Sequence, residues 1–295
     1  MTVSRIDRED SGYPALLREI FDPPDHLYVD GRLPDGPMIA IVGSRRATPY
    51  GTRTARRLAR ELSARGVIVV SGLARGVDAA AHRGALEGPT PTVAVLATGL
   101  DEIYPPEHAG LAREIAVAGA VVTEAEPGTP PLPSRFPHRN RIISGMSLGV
   151  IVVEAAERSG ALITARMAME ANRDVFCVPG SIENPVAFGP HQLIKDGAKL
   201  LQTVEDVLEE FPALVAPCPP TRVASRKRSG GSCGPVDPDL AAVWELLDWV
   251  EPRHHDELAA ILNLDVKEVS RRLTLLELGN YIIGDCGAVT RRPQN

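Results

Sequence analysis

Short apolar runs alternate with helix-period segments through the middle of the chain. Strand-like runs fall at 38–43, 67–71, 92–97, 120–123, 150–153 and 175–178. Segments with apolar residues three and four positions apart fall near 50–65, 78–87, 108–118, 139–147 and 162–172. Strict alternation of this kind predicts an α/β fold, a parallel sheet with helices on both faces. Val93-Ala-Val-Leu96 and Val150-Ile-Val-Val153 are apolar at every position, as strands covered on two sides must be. Ligands in such a sheet belong at the carboxyl ends of the strands.

The pattern changes at both ends. Residues 1–36 form a lead-in punctuated by Asp22-Pro-Pro-Asp25 and Leu33-Pro-Asp-Gly-Pro37 around one apolar run, Leu27-Tyr-Val29, and are expected to pack on the domain over 37–212. Residues 213–236 are rich in Pro, Ser and Gly and predict a flexible linker, whose patch Arg226-Lys-Arg228 either touches phosphates or solubilises a tether. Over 237–295, helical periodicity at Leu240–Leu247, His255–Leu262 and Val266–Leu278 is followed by two β runs, Tyr281-Ile-Ile283 and Ala288-Val-Thr290. That order predicts a small winged-helix domain. Acidic residues outnumber basic ones across it, which suits a protein-interaction or dimer-contact module better than a duplex reader.

At 295 residues and 44% hydrophobic content the chain can bury a substantial core. The apolar runs are too short to span a bilayer, and Met1-Thr-Val-Ser-Arg-Ile6 lacks a signal region, so a cytoplasmic location without membrane contact is expected. Cys177, Cys218, Cys233 and Cys286 show no metal-ligand spacing; neither a zinc site nor a disulfide framework is expected. The net charge of −6 argues against a nucleic-acid partner until its distribution is considered. Arginines crowd positions 45–65 and recur at Arg135, Arg139 and Arg141, while acids concentrate after 200. A solvated helix face, for which arginine is a good helix former, is the better account of those from Arg53 to Arg65.

The chemistry concentrates in two turns. Ile39-Ala-Ile-Val-Gly-Ser-Arg-Arg46 and Val69-Val-Ser-Gly-Leu-Ala-Arg-Gly-Val-Asp78 each run from a strand through a Gly/Ser/Arg turn into a helix, aiming backbone N–H groups at an anion with guanidinium groups beside them. Neither G-x-G-x-x-G nor G-x-x-x-x-G-K-[ST] occurs, and Arg75 stands where a ribose-binding acid would follow the second strand. Dinucleotide and P-loop readings therefore fall, and no cofactor is expected. A third basic cluster, Ser134-Arg-Phe-Pro-His-Arg-Asn-Arg141, carries Phe136 in a Pro-bracketed turn, where the ring either fills core or stacks on a base.

These residues carry a resemblance. Val42-Gly-Ser-Arg45, Ser71-Gly-Leu-Ala-Arg-Gly-Val-Asp78 with Ala81-His82, Gly99-Leu-Asp-Glu-Ile-Tyr-Pro105, Phe136-Pro-His-Arg-Asn-Arg-Ile-Ile143, Val153-Glu-Ala155, Ser159-Gly-Ala-Leu-Ile-Thr164 and Val178-Pro-Gly180 together resemble the DprA/Smf family over residues 13–212. The tail resembles the family's winged-helix domain, whereas the helical, SAM-like N-terminal domain of many members has no counterpart before Tyr13. The resemblance implies an extended Rossmann-like domain that binds single-stranded DNA during natural transformation, protects it, and loads the RecA recombinase as a homodimer. It implies that Gly43, Ser44 and Arg45 hold one phosphate, that Gly72, Arg75 and Gly76 form a second phosphate turn, and that Phe136 stacks a base. Arg139 and Arg141 would line the same pocket, with Lys195 a further candidate, and the dimer contact would use apolar helix surface near 162–211.

Two other function classes stay in view. Related folds hydrolyse nucleoside monophosphates; Glu154, Glu170 and the pair Asp78/His82, four residues apart on one helix face, are the acids and base such a hydrolase would draw on. As structural residues, Asp78 would cap the helix through Leu86 and His82 would pack. An adaptor without DNA binding would use the sheet domain only as scaffold, and Arg45→Ala would then leave strand affinity unchanged.

Overall fold

Alternate residues of each central strand feed two separate cores, which is why these strands are apolar throughout. The computed structural model describes residues 3–212 and, further on, 240, 243–244, 246–247, 253–262, 264–278, 282–285 and 288–291. The chain divides into two units, Met1–Pro217 and Cys218–Asn295.

In the first unit the strands are β1 (Val3–Asp7), β2 (His26–Gly31), β3 (Met38–Val42), β4 (Ile68–Ser71), β5 (Thr92–Val95), β6 (Ala120–Thr123), β7 (Gly149–Val152), β8 (Asp174–Cys177) and β9 (Lys199–Leu200). They form one sheet in the order β1-β2-β6-β5-β4-β3-β7-β8-β9. From β6 to β9 every pairing is parallel. The helices that matter for the site are α1 (Ala15–Arg18), α2 (Pro49–Ala64), α3 (Val77–Leu86), α4 (Ala109–Ala118), α5 (Arg135–Gly145), α6 (Gly160–Glu170) and α7 (Phe188–Lys195).

One face of β3 buries Ala40 and Val42 against Ile142 and Ile143 of α5 and Ala161 and Ala165 of α6. The other face buries Ile39 and Ile41 against Ala55, Leu58 and Leu62 of α2 and Ala80 and Ala81 of α3. Helices thus cover both faces. The lead-in does more than pack on this core: β1 and β2 extend the sheet antiparallel from β6, with Tyr28 opposite Thr123, and Leu17 of α1 is fully buried beneath α5. Strand order reverses between β3 and β7, the topological switch point of the sheet.

The second unit has helices His255–Leu262 and Val266–Leu278, followed by antiparallel strands Ile282–Asp285 and Ala288–Arg291, with Arg253–His254 pairing on the latter. Its core is Val243, Leu247, Leu258, Val269, Leu273, Leu276 and Ile282. This is a winged-helix arrangement. Tyr281, part of the helix expected over Leu240–Leu247, the linker patch Arg226-Lys-Arg228, and Cys218, Cys233 and Cys286 lie outside the described residues.

Candidate nucleic-acid interface

β3 and β7 end side by side, and a cavity of about 750 Å³ opens above them. Its walls come from the turn after β3 (Gly43, Ser44, Arg45, Arg46), from Ala74 and Asp78, from Phe136, Arg139 and Asn140 of α5, and from Arg158, Ser159 and Gly160 at the start of α6.

Two glycines lock the turns of β3 and β4 together. A Cβ on Gly43 would lie 2.6 Å from Val77 Cγ2 and 2.9 Å from the Glu154 carbonyl oxygen. Gly76 adopts φ +76°, and a Cβ there would lie 2.2 Å from the carbonyl oxygen of Ser44. The N–H of Val77 donates to that same carbonyl at 3.2 Å. Among the described residues, the N–H groups of Ser44 and Arg45 donate to no protein acceptor, and they stand at the cavity wall.

The second turn is built differently from the sequence expectation. The N–H groups of Gly72 and Ala74 donate to Asp78 Oδ2 at 3.2 and 3.3 Å, so an internal carboxylate holds donors that had been assigned to a phosphate. Asp78 does not cap its helix; Gly76 is the N-cap, and Asp78 reaches back from the first turn of α3 over the preceding loop. Arg139 closes this arrangement. Its buried guanidinium donates through Nη1 to the carbonyls of Gly72 (2.9 Å) and Val95. Burial lowers the Arg139 pKa to about 10, against the attraction of Asp78, and burial raises that of Asp78, against the attraction of Arg139. Arg139 therefore forms the cavity wall with its donors already engaged inside the protein.

Phe136 is half-exposed in the first turn of α5, which begins at Arg135 rather than near 139 because Pro137 is tolerated in a first helical turn. The Arg45 guanidinium lies over its ring, 5.0 Å from the centroid, and Tyr104 packs against it at 5.5 Å with the planes tilted by 58°. Arg75 borders a small crevice beside this stack but pairs with Glu107 at 2.5 Å. Arg141 does not reach the cavity: it turns toward Asp22 (3.1 Å) and Glu124 (2.5 Å). Lys195, in the last turn of α7, does not line the cavity either.

Charge partnering separates these arginines. Arg75 and Arg141 form ion pairs with carboxylates and Arg139 is buried beside Asp78, whereas Arg45, Arg46 and Arg158 line the cavity, exposed and in no ion pair among the described residues, with Asp78 attracting Arg45 only through space. Sequence reasoning placed Arg46 in the first phosphate turn without giving it a role of its own, and missed Tyr104 and Arg158 as site residues. Tyr104 lies inside Gly99-Leu-Asp-Glu-Ile-Tyr-Pro105, a motif already singled out; Arg158 carries no local signal.

Glu154 explains why this is not a nucleotide turn. Its buried carboxylate accepts from the N–H of Thr48 at 2.9 Å and from Thr48 Oγ1 at 2.5 Å, at the N-terminus of α2. A Cβ on Gly51 would fall 2.3 Å from that carboxylate. The helix terminus that receives a pyrophosphate in dinucleotide-binding folds is thus filled from within. His82 is buried with Nδ1 2.9 Å from Thr92 Oγ1, and burial lowers its pKa to about 3. It packs, away from the cavity.

Comparison with known proteins accords with this geometry. The family model described as DNA recombination-mediator protein A matches residues 4–212, and the DprA winged helix domain matches 231–283. Protein Smf of Escherichia coli is 47% identical over 209 residues, 70% of this chain and 56% of that protein, so the match spans little more than half of that relative's length. DNA processing protein DprA of Bacillus subtilis is 43% identical over 213 residues, 71% of this chain and 72% of that protein. The crystal structure of DprA from Streptococcus pneumoniae aligns at TM-score 0.68 and 42% identity, covering 72% of this chain and 75% of that one. A structure of DNA processing protein A from Helicobacter pylori, described for its single-stranded DNA binding mode, aligns at TM-score 0.64 and 30% identity, covering 72% and 97%. Sheet order, switch-point cavity, motifs and family models agree, and the chain belongs to the DprA family of DNA recombination-mediator proteins.

Proposed function

We propose that this chain binds single-stranded DNA in the switch-point cavity, protects incoming strands, and delivers them to a RecA recombinase during natural transformation, working in the cytoplasm as a homodimer. The observation that carries the reading is the set of exposed arginines at the cavity that form no ion pair among the described residues, with Arg45 laid over Phe136. Guanidinium groups and open backbone N–H groups suit phosphates, and an aromatic face accepts any base. The single-strand binding of the Helicobacter pylori relative and the recombination-mediator description of the family support the same direction. Exposed apolar side chains at Met169, Ile182, Phe188 and Leu200 supply surface for the proposed dimer contact.

The hydrolase reading is weaker because its acids are committed elsewhere. Glu154 holds the terminus of α2, Asp78 holds the Gly72 turn, and Glu170 is exposed in the last turn of α6, at the end away from the cavity. Anisotropy titration of labelled oligo-dT and of a matching duplex, at two salt concentrations, tests the binding reading. Preferential single-strand binding is expected, with Arg45→Ala costing about 1.5–3 kcal/mol and flattening the salt dependence. Unchanged affinity in the variant would leave the domain as a scaffold.

A further inference from the structure

A second cavity, of about 360 Å³, opens on the other side of the segment that follows β7 and is bordered by Tyr50, Glu154, Val178, Pro179, Asn184 and Ala187. Glu154 and Ala187 line this cavity and their chain neighbours Ala156 and Val186 line the larger one; between them the Ala155 N–H donates to the carbonyl of Val186 at 2.7 Å, and its own carbonyl accepts from Gly189 at 2.9 Å. Several polar acceptors at this second cavity are engaged internally. Asn184 Oδ1 accepts from the N–H of Val186, Ser181 Oγ from that of Glu183, and the Glu154 carboxylate is held by Thr48. Neither arginine nor lysine lines the space, and a carboxylate lies beneath it, so a phosphate is excluded. A flat, uncharged group fits. Tyr50 supplies the face for it: its hydroxyl donates to the Pro179 carbonyl at 3.1 Å, which fixes the ring, while 45% of the residue stays exposed. Tyr50 follows the Arg45-Arg46 turn by one step across the N-cap Thr48.

We infer that this second cavity holds a nucleobase of the same single strand, stacked on Tyr50, so that the strand runs along the carboxyl edge of the sheet from Phe136, past Arg45 and Arg46, to Tyr50. The inference rests on the single-strand reading above. The test is anisotropy titration of the full chain, Tyr50→Leu and Tyr50→Phe against labelled oligo-dT and against an abasic phosphodiester oligomer of equal length. Loss of one base–aromatic stack predicts about fivefold or greater weakening of Tyr50→Leu on oligo-dT, near-parental affinity for Tyr50→Phe, and no difference among the three proteins on the abasic strand. Parental binding by Tyr50→Leu, or an equal loss on the abasic strand, overturns the Tyr50 subsite while leaving the arginine cavity intact. Failure of the parental protein to bind either strand overturns both.

Discussion

Gly76→Ala should loosen the junction between the two turns more than its backbone conformation alone accounts for. Gly66 and Gly76 both have positive φ, +83° and +76°, but a Cβ on Gly66 meets nothing within 4 Å whereas one on Gly76 lies 2.2 Å from the Ser44 carbonyl oxygen and 3.0 Å from Arg45 backbone atoms. Gly66→Ala measures the cost of a positive φ in open space, about 1–2 kcal/mol, whereas Gly76, at φ +76° and ψ −121°, lies outside the left-handed helical region and carries a further backbone cost of its own. Gly76→Ala adds an overpacking cost of about 1–3 kcal/mol, because both clashing groups are backbone and cannot rotate away. Urea unfolding followed by far-ultraviolet circular dichroism reads the difference. The displaced Ser44-Arg45 turn should also lower affinity for oligo-dT in Gly76→Ala while Gly66→Ala binds normally. Equal destabilisation of the two variants, with unchanged binding, would refute the claim that this contact sets the turn.

Removing Arg139 by Arg139→Met should destabilise the first unit by about 3–5 kcal/mol, since Asp78 is left buried with two backbone N–H donors but no cation beside it and the carbonyls of Gly72 and Val95 lose their donor; Asp78→Asn in the same chain should recover part of the loss in a denaturation double-mutant cycle. His82 is held near pKa 3 when folded and returns to about 6.5 when unfolded, so the unfolded chain binds the extra proton. Its contribution to stability is complete above about pH 6.5 and declines as pH falls toward 3; in acid-titrated denaturation, His82→Gln should show a shallower loss across that window than the parent.

The central sheet was legible because its strands are buried on both faces: the run read at 38–43 is Met38–Val42, and that at 150–153 is Gly149–Val152. The edges were not. Leu27-Tyr-Val29 was visible as an apolar run, but its pairing beside β6 joins residues some ninety positions apart, which no local pattern encodes. β9 has two residues and no periodicity to detect. At the site, Gly43-Ser-Arg45 and Phe136 could be found because turn chemistry is local. The direction of Arg141 could not, since it is decided by Asp22 and Glu124 arriving from other elements. The same holds for Asp78, whose place at a helix start reads as a cap in sequence while its carboxylate serves the loop before it.

Glu154 gives the molecule a resident counter-ion at the terminus of α2. A free mononucleotide or dinucleotide arriving at that terminus meets negative charge instead of open N–H groups, so the abundant small phosphates of a cell gain no foothold on the dipole. The arginines at the cavity are left for an anion that can engage several of them and an aromatic ring at once.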